Sequence, residues 1–222
     1  MSKHFADMDG MYQSATPTIV CQISRGVAPS ICIVEAVQAA QRHGAQYRLI
    51  AGLSAVDAKE EAVTVALATQ SDLVLCEDDM LATDDQWRRA ITGSDDRVLV
   101  ASAPCRNGVV NTIHDTAGRV LWSGTVLVRI PYPILECIAA QGRPTFQCWD
   151  CHPDFDASEL HPVCPNNRGE ASDVYLYYRL TQMDPRPEVE ELGMVVALQH
   201  PFNTGAKRLN APIELVPVQV TA

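Results

Sequence analysis

No stretch of about 20 apolar residues occurs anywhere in the chain, so a membrane-spanning helix is not expected. The first residues, Met1 to Gln13, carry Asp7 and Asp9 where a signal peptide would need an apolar core, and the expected location is the cytoplasm. Also missing is any pair of glycines in a G-x-G arrangement. That excludes both the dinucleotide fingerprint and the G-x-x-x-x-G-K-[ST] phosphate loop, and the G-x-S-x-G hydrolase elbow is absent too. Positive charge is scarce: 17 Lys and Arg stand against 27 Asp and Glu, a formal net charge of -10. Such a balance disfavours a general nucleic-acid backbone binder. There is no internal repeat.

What is present is a globular composition, 47% hydrophobic and 20% charged over 222 residues. At ~150 residues per domain this suggests one domain with an elaboration. A chain of this size folds without staples, so an even count of 8 cysteines carries little weight. Cys21, Cys32, Cys76, Cys105 and Cys137 are scattered and are expected to be mostly reduced core residues.

The periodicity predicts a strand at Thr18–Ser24 and a helix at Ser30–His43, with Ile33, Ala36, Val37 and Ala40 on one face. Ser30 is expected to cap that helix and Gly44 to end it. A strand at Tyr47–Leu53 follows, then a helix opened by Asp57 and Glu60 and carried by Ala62, Val65, Ala66 and Thr69. Asp72–Cys76 reads as a short buried strand. Three strands separated by two helices imply a parallel sheet covered on both faces. Further strands are expected at Arg97–Ser102, Val120–Val128 and Gly193–Gln199, with helices at Ile134–Ala140 and Glu170–Met183. Antiparallel pairing is expected in the second half. Gln141–Gly169, rich in proline, cysteine and histidine, reads as an inserted loop, and residues 201–222 as a tail.

Three sites stand out for chemistry. Glu77, Asp78 and Asp79 follow directly on a buried apolar strand, where open α/β sheets bind ligands. Glu77 and Asp79 project to one side and can share Mg or Mn, while Asp78 points away. Glu170 and Asp173 lie on one face of a helix's first turn, where the macrodipole favours a carboxylate able to act as a base. His200 ends an apolar run. Arg25, just past the first strand, is placed to contact a nucleotide. Separately, Cys148, Cys151, His161 and Cys164 read as C-x2-C-x9-H-x2-C, a candidate structural zinc site in which His152 competes with His161.

The order of these motifs resembles the nucleotide-sugar glycosyltransferases of the GT-A fold, especially family-2-like members, from about Thr18 to His200. The resemblance implies an α/β fold, a Rossmann-type mixed sheet flanked by helices in a single domain. Residues 18–103 would form its nucleotide-binding half, and residues 104–200 its acceptor half with the insert at 141–169. It matches the D-x-D-type motif to Glu77-Asp78-Asp79, with Asp78 among the nucleotide contacts. It further matches an acceptor-side glycine to Gly124, the catalytic acids to Glu170 and Asp173, and a metal-binding histidine to His200. Two departures stand: Glu77 replaces the commoner Asp, and two residues separate acids that are usually adjacent. The implied reaction moves a sugar from a nucleotide-sugar donor to a hydroxyl, with inversion and Asp173 as base. The acceptor would be a carbohydrate, or a hydroxylated base in DNA near a rim of Arg106, Arg143 and Arg168. Two alternatives remain: a nucleotidyltransferase, and a non-catalytic zinc-stapled module that binds nucleic acid or protein.

Overall fold

The computed structural model describes residues 16–24, 29–93, 96–104, 110–147 and 172–198. Within them, β1 (Thr18–Ser24), α1 (Ser30–Arg42), β2 (Gln46–Ala51), α2 (Ala55–Ala68) and β3 (Asp72–Glu77) follow the predicted alternation. β1 pairs in parallel with both β2 and β3, so the sheet begins in the order β2-β1-β3. The chain steps one way from β1 to β2 and back the other way to β3. With right-handed crossovers, α1 and α2 must then cover opposite faces. The core shows this division. Ile19, Cys21, Ile23, Leu73 and Leu75 pack with Ala58, Ala62 and Ala66 of α2, whereas Val20, Val74 and Cys76 pack with Ala36, Ala39 and Ala40 of α1.

The remaining elements are β4 (Met80–Leu81), α3 (Asp84–Thr92), β5 (Val98–Ser102), β6 (Thr112–His114), β7 (Val120–Ser123), β8 (Leu127–Ile130), α4 (Tyr132–Ala140), α5 (Ser172–Thr181), β9 (Val189–Met194) and β10 (Val196–Ala197). They complete a six-stranded mixed sheet in the order β2-β1-β3-β8-β5-β9. Only β8 runs against the rest, antiparallel to both β3 and β5. The result is a mixed α/β domain of Rossmann-like type, with α1 and α3 on one face and α2, α4 and α5 on the other. No helix among the described residues is long and apolar enough to cross a membrane.

The reversal of β8 has a direct consequence for function. In an antiparallel neighbour the amino end of one strand lies beside the carboxyl end of the other. Cys76 at the end of β3 faces Leu127 at the start of β8, and the Glu77 amide donates to the Val126 carbonyl at 3.1 Å. The segment entering β8 therefore shares an edge with the acids leaving β3.

Several expectations are corrected. Val120–Val128 is not one strand. β7 pairs with β6 in a separate hairpin, and Gly124 to Val126 redirect the chain into β8. The closing strand begins at Val189, not Gly193, because Val98 to Val100 pair with Val189 to Glu191. Gly193 has φ +90°, near the passage from β9 to β10. At α1 the cap position is Pro29 with no side-chain bond, and Ser30 is already helical. α2 is capped by Ser54, whose hydroxyl accepts from the Asp57 amide, so Asp57 lies inside the first turn. α3 was not foreseen, although its capping box is explicit: Thr83 accepts from the Gln86 amide, and the Gln86 side chain accepts from the Thr83 amide at 2.9 Å.

Cys21, Cys32 and Cys76 are free and buried as expected, and Cys137 is free but exposed. Cys105, Arg106, Arg168, the tail and most of the insert lie outside the described residues.

Candidate functional site at the carboxyl edge of the sheet

At the end of β3 the three acids part company. Glu77 continues the parity of Leu73 and Leu75, which belong to the face covered by α2, α4 and α5. Asp78, only 3% exposed, belongs to the opposite parity, the α1 side. Burial, and after it the charges of Glu35, Asp79 and Asp78, pushes the Cys32 thiol up to about 12. Cys32 is thus a neutral thiol at neutral pH and unsuited to act as a nucleophile. Glu35 is also raised, chiefly by burial, although the Trp87 indole and the Ala82 backbone favour its ionised form. Gln22 clips the two elements together, with its Nε2 donating to the carbonyls of Cys32 at 3.3 Å and Glu77 at 3.5 Å. Its Oε1 accepts from the Tyr47 hydroxyl at 2.7 Å.

Asp79 begins the turn into β4. Its carbonyl accepts from the Leu198 amide at 2.6 Å, just beyond the antiparallel pairs Met80–Ala197 and Leu81–Val196. His200 lies outside the described residues, but Leu198, two positions before it, is thus held on Asp79.

The second acid cluster enters from α5. Asp173 Oδ1 accepts from the Thr125 hydroxyl at 2.8 Å and from the Lys59 ammonium. Thr125 is the residue immediately before Val126, whose carbonyl holds the Glu77 amide. One continuous set of contacts, Glu77 to Val126, then Thr125 to Asp173, places acids nearly a hundred residues apart on the same edge. Glu77 and Asp173 also share the face covered by α2 and α5.

Both donors to Asp173 converge on Oδ1. The Asp173 side chain is 20% exposed, and Oδ2 is the oxygen that neither donor engages. Tyr177, one turn on and fully buried, has its hydroxyl raised well above the usual range by burial and by the Asp173 charge, so it stays a neutral phenol.

Lys59 was missed in the sequence although a signal existed. It precedes Ala62, Val63 and Ala66 at i+3, i+4 and i+7, all buried, so a lysine stands in the apolar stripe of α2. Its neighbour Glu60 accepts from the Phe146 amide at 2.5 Å, and burial raises the Glu60 carboxyl. Thr125 was hidden for a different reason, being read as mid-strand when it lies in the connection between β7 and β8.

Gly124 is on the same edge, but the space its missing side chain leaves is taken by Asn111. A Cβ there would collide with the Asn111 amide, whose Oδ1 accepts from the Ala103 amide at 2.6 Å. Arg143 is exposed. Glu170, Arg25, Cys148, Cys151, His161 and Cys164 lie outside the described residues.

No protein-family model matches the sequence, and no curated protein matches it. Solved structures do share its outline. The inositol-1-phosphate CTP transferase from T. maritima aligns over 88% of this chain and 94% of its own, with 9% identity and a TM-score of 0.44. The 4-diphosphocytidyl-2C-methyl-D-erythritol synthase from Anaerococcus prevotii aligns over 80% of this chain and 89% of its own, with 11% identity and a TM-score of 0.41. Likeness at this level bears on neither reaction nor ligand.

For a metal, the donor chemistry is the relevant test. Among the described residues no three His, Cys, Asp or Glu side chains group closely enough to hold an ion by themselves. A hard divalent cation needs fewer protein ligands when phosphate and water complete its shell. Glu77 and Asp79, partly exposed carboxylates at a strand end, fit that second kind of site.

Proposed function

We propose that this chain is a transferase acting on a nucleotide's phosphates at the carboxyl edge of the sheet, and that its reaction is nucleotidyl transfer. The observation that carries the reading is the meeting of Glu77 and Asp173 through Val126 and Thr125. It gives one edge two anionic poles, one suited to a cation–phosphate complex and one to an acceptor. The amino end of α1, which has no side-chain cap, follows β1 at this edge and suits an anionic group.

The choice between transfers follows from Asp173. Moving a sugar to a hydroxyl requires a base, and Asp173 Oδ1 is already occupied by an ammonium and a hydroxyl. Moving a nucleotidyl group to a phosphate monoester requires none, because phosphate with a second pKa of about 6 is largely ionised at neutral pH. In that reaction an oxygen of the acceptor phosphate attacks the α-phosphorus of a nucleoside triphosphate. The bond to the bridging oxygen breaks, and pyrophosphate leaves. Glu77 and Asp79 would hold a divalent cation, Mg or Mn, which when bound supplies charge neutralisation for the triphosphate. Asp173 Oδ2 accepts a hydrogen bond from a hydroxyl of the acceptor and fixes its approach. A nucleotide-sugar donor remains the second reading, favoured by Oδ2, which neither Lys59 nor Thr125 engages and which would then take the proton of the attacking hydroxyl.

The products separate them. With Mn or Mg, nucleoside triphosphates and a panel of sugar and polyol phosphates, the expected result is acceptor-dependent release of pyrophosphate. Release of nucleoside diphosphate from nucleotide sugars, with no pyrophosphate from triphosphates, would replace this reading with glycosyl transfer. Silence in both assays, with a zinc-dependent fold, would favour the interaction module.

A further inference from the structure

Lys59 is a buried ammonium, its side chain 5% exposed, on a helix stripe otherwise filled by Ala62, Val63 and Ala66. Three elements meet around it. From α5, Asp173 Oδ1 and the Ser172 hydroxyl accept from it, the latter at 3.0 Å. From the segment after α4, the Phe146 ring lies with its centroid 5.6 Å from the ammonium nitrogen. From the entry to β8, Thr125 shares the same Asp173 oxygen. A buried pair of this kind is a weak source of stability, since apolar residues of similar volume often serve as well. A carboxylate with one oxygen fixed from two directions, however, has its rotamer set and its other oxygen presented in one place.

We infer that Lys59 is a positioning residue: together with Thr125 it locks Asp173 Oδ1 so that Oδ2 alone faces the acceptor. The inference rests on the proposed transfer for its kinetic consequence, but not for the geometry. Lys59 does not touch the reacting atoms. It acts through Asp173, and the first turn of α5 is held in register by its second bond to Ser172.

The test uses the full chain and the variants Lys59→Met, Lys59→Arg and Thr125→Val, with turnover followed by pyrophosphate release. Misplacing an orienting group by about 1 Å costs on the order of 100-fold, so Lys59→Met is expected to lower kcat by about that factor. Its KM for the triphosphate should stay within about threefold, because orientation of the acceptor and binding of the nucleotide are separate. Lys59→Arg restores a cation and should recover most of the lost kcat. Thr125→Val, which keeps the ion pair, should cost about tenfold and serves if Lys59→Met does not fold.

An unchanged kcat in Lys59→Met, or in Thr125→Val where the former is unfolded, would overturn the inference. So would a crystal structure of Lys59→Met, or of Thr125→Val in its place, with Asp173 in its original rotamer. That second readout needs no activity. A wild type that releases no pyrophosphate would count against the reaction, and the crystallographic result would still decide the role of Lys59.

Discussion

Asp173→Asn is expected to lower kcat for the proposed transfer by about 100-fold, with a smaller effect on nucleotide KM. The substitution keeps the side chain's shape but removes its charge and turns one acceptor oxygen into a donor, so the acceptor hydroxyl loses its fixed partner. It also leaves the Lys59 ammonium buried without a counter-charge, which destabilises the fold by about 3–5 kcal/mol. The two effects are separable. The double variant Lys59→Met/Asp173→Asn removes both charges, so urea unfolding should show much of the stability regained while activity stays low. Glu77→Gln supplies the complementary case. Glu77 is partly exposed at the strand end, so its loss should reduce turnover and the response to Mn with little change in the urea midpoint. A double variant that regains activity along with stability would show that Asp173 matters only to folding.

Asp72→Ala is expected to lower stability to a similar extent, about 3–5 kcal/mol by urea or thermal unfolding. Asp72 Oδ2 accepts from Arg129 at 2.7 Å, with side chains only 7% and 2% exposed, and Oδ1 accepts from the Tyr132 amide at 2.8 Å. Removing it takes the Asp72 carboxylate from a buried guanidinium on β8 and unties the amino end of α4. Asp72 opens β3 and Glu77 closes it, so about 17 Å of strand separates this pair from the candidate site. Folded Asp72→Ala protein should therefore keep any wild-type turnover at a temperature below its unfolding transition. Arg129→Met in the same background should return much of the stability, since it removes a buried charge that has lost its Asp72 carboxylate. A stability loss under 1 kcal/mol in Asp72→Ala would mean that this interior pair contributes no more than a surface one.

The first five elements were legible because several local signals agreed there. β1 and β3 are apolar runs buried on both faces, α1 and α2 carry helical periodicity, and Gly44, at φ +76°, breaks the chain after α1. α3 was missed because Asp84, Asp85, Arg88 and Arg89 mask its short apolar face of Trp87, Ala90 and Ile91, although the Thr83 and Gln86 box announces its start. β9 carries Glu190 and Glu191 and shows no alternation. Its pairing depends on long-range partners, Arg89 and Arg97 for Glu190 and His114 for Glu191. The break between β7 and β8 depends on Asn111 filling the space over Gly124, a contact no local pattern encodes. Lys59 was visible as a charge in an apolar stripe, but its partner is 114 residues away. Sequence spacing can flag such a residue and cannot name what it holds.

A crystal structure grown with Mn and a nucleoside triphosphate tests the central claim most directly, because the anomalous signal of Mn locates the ion and the electron density beside it places the phosphates. The account predicts the ion at Glu77 and Asp79, the triphosphate along the carboxyl edge of the sheet, and Asp173 Oδ2 facing the α-phosphate side of the same cleft. A nucleotide bound on another surface, or bound at Glu77 with Asp173 turned away from it, would contradict that account.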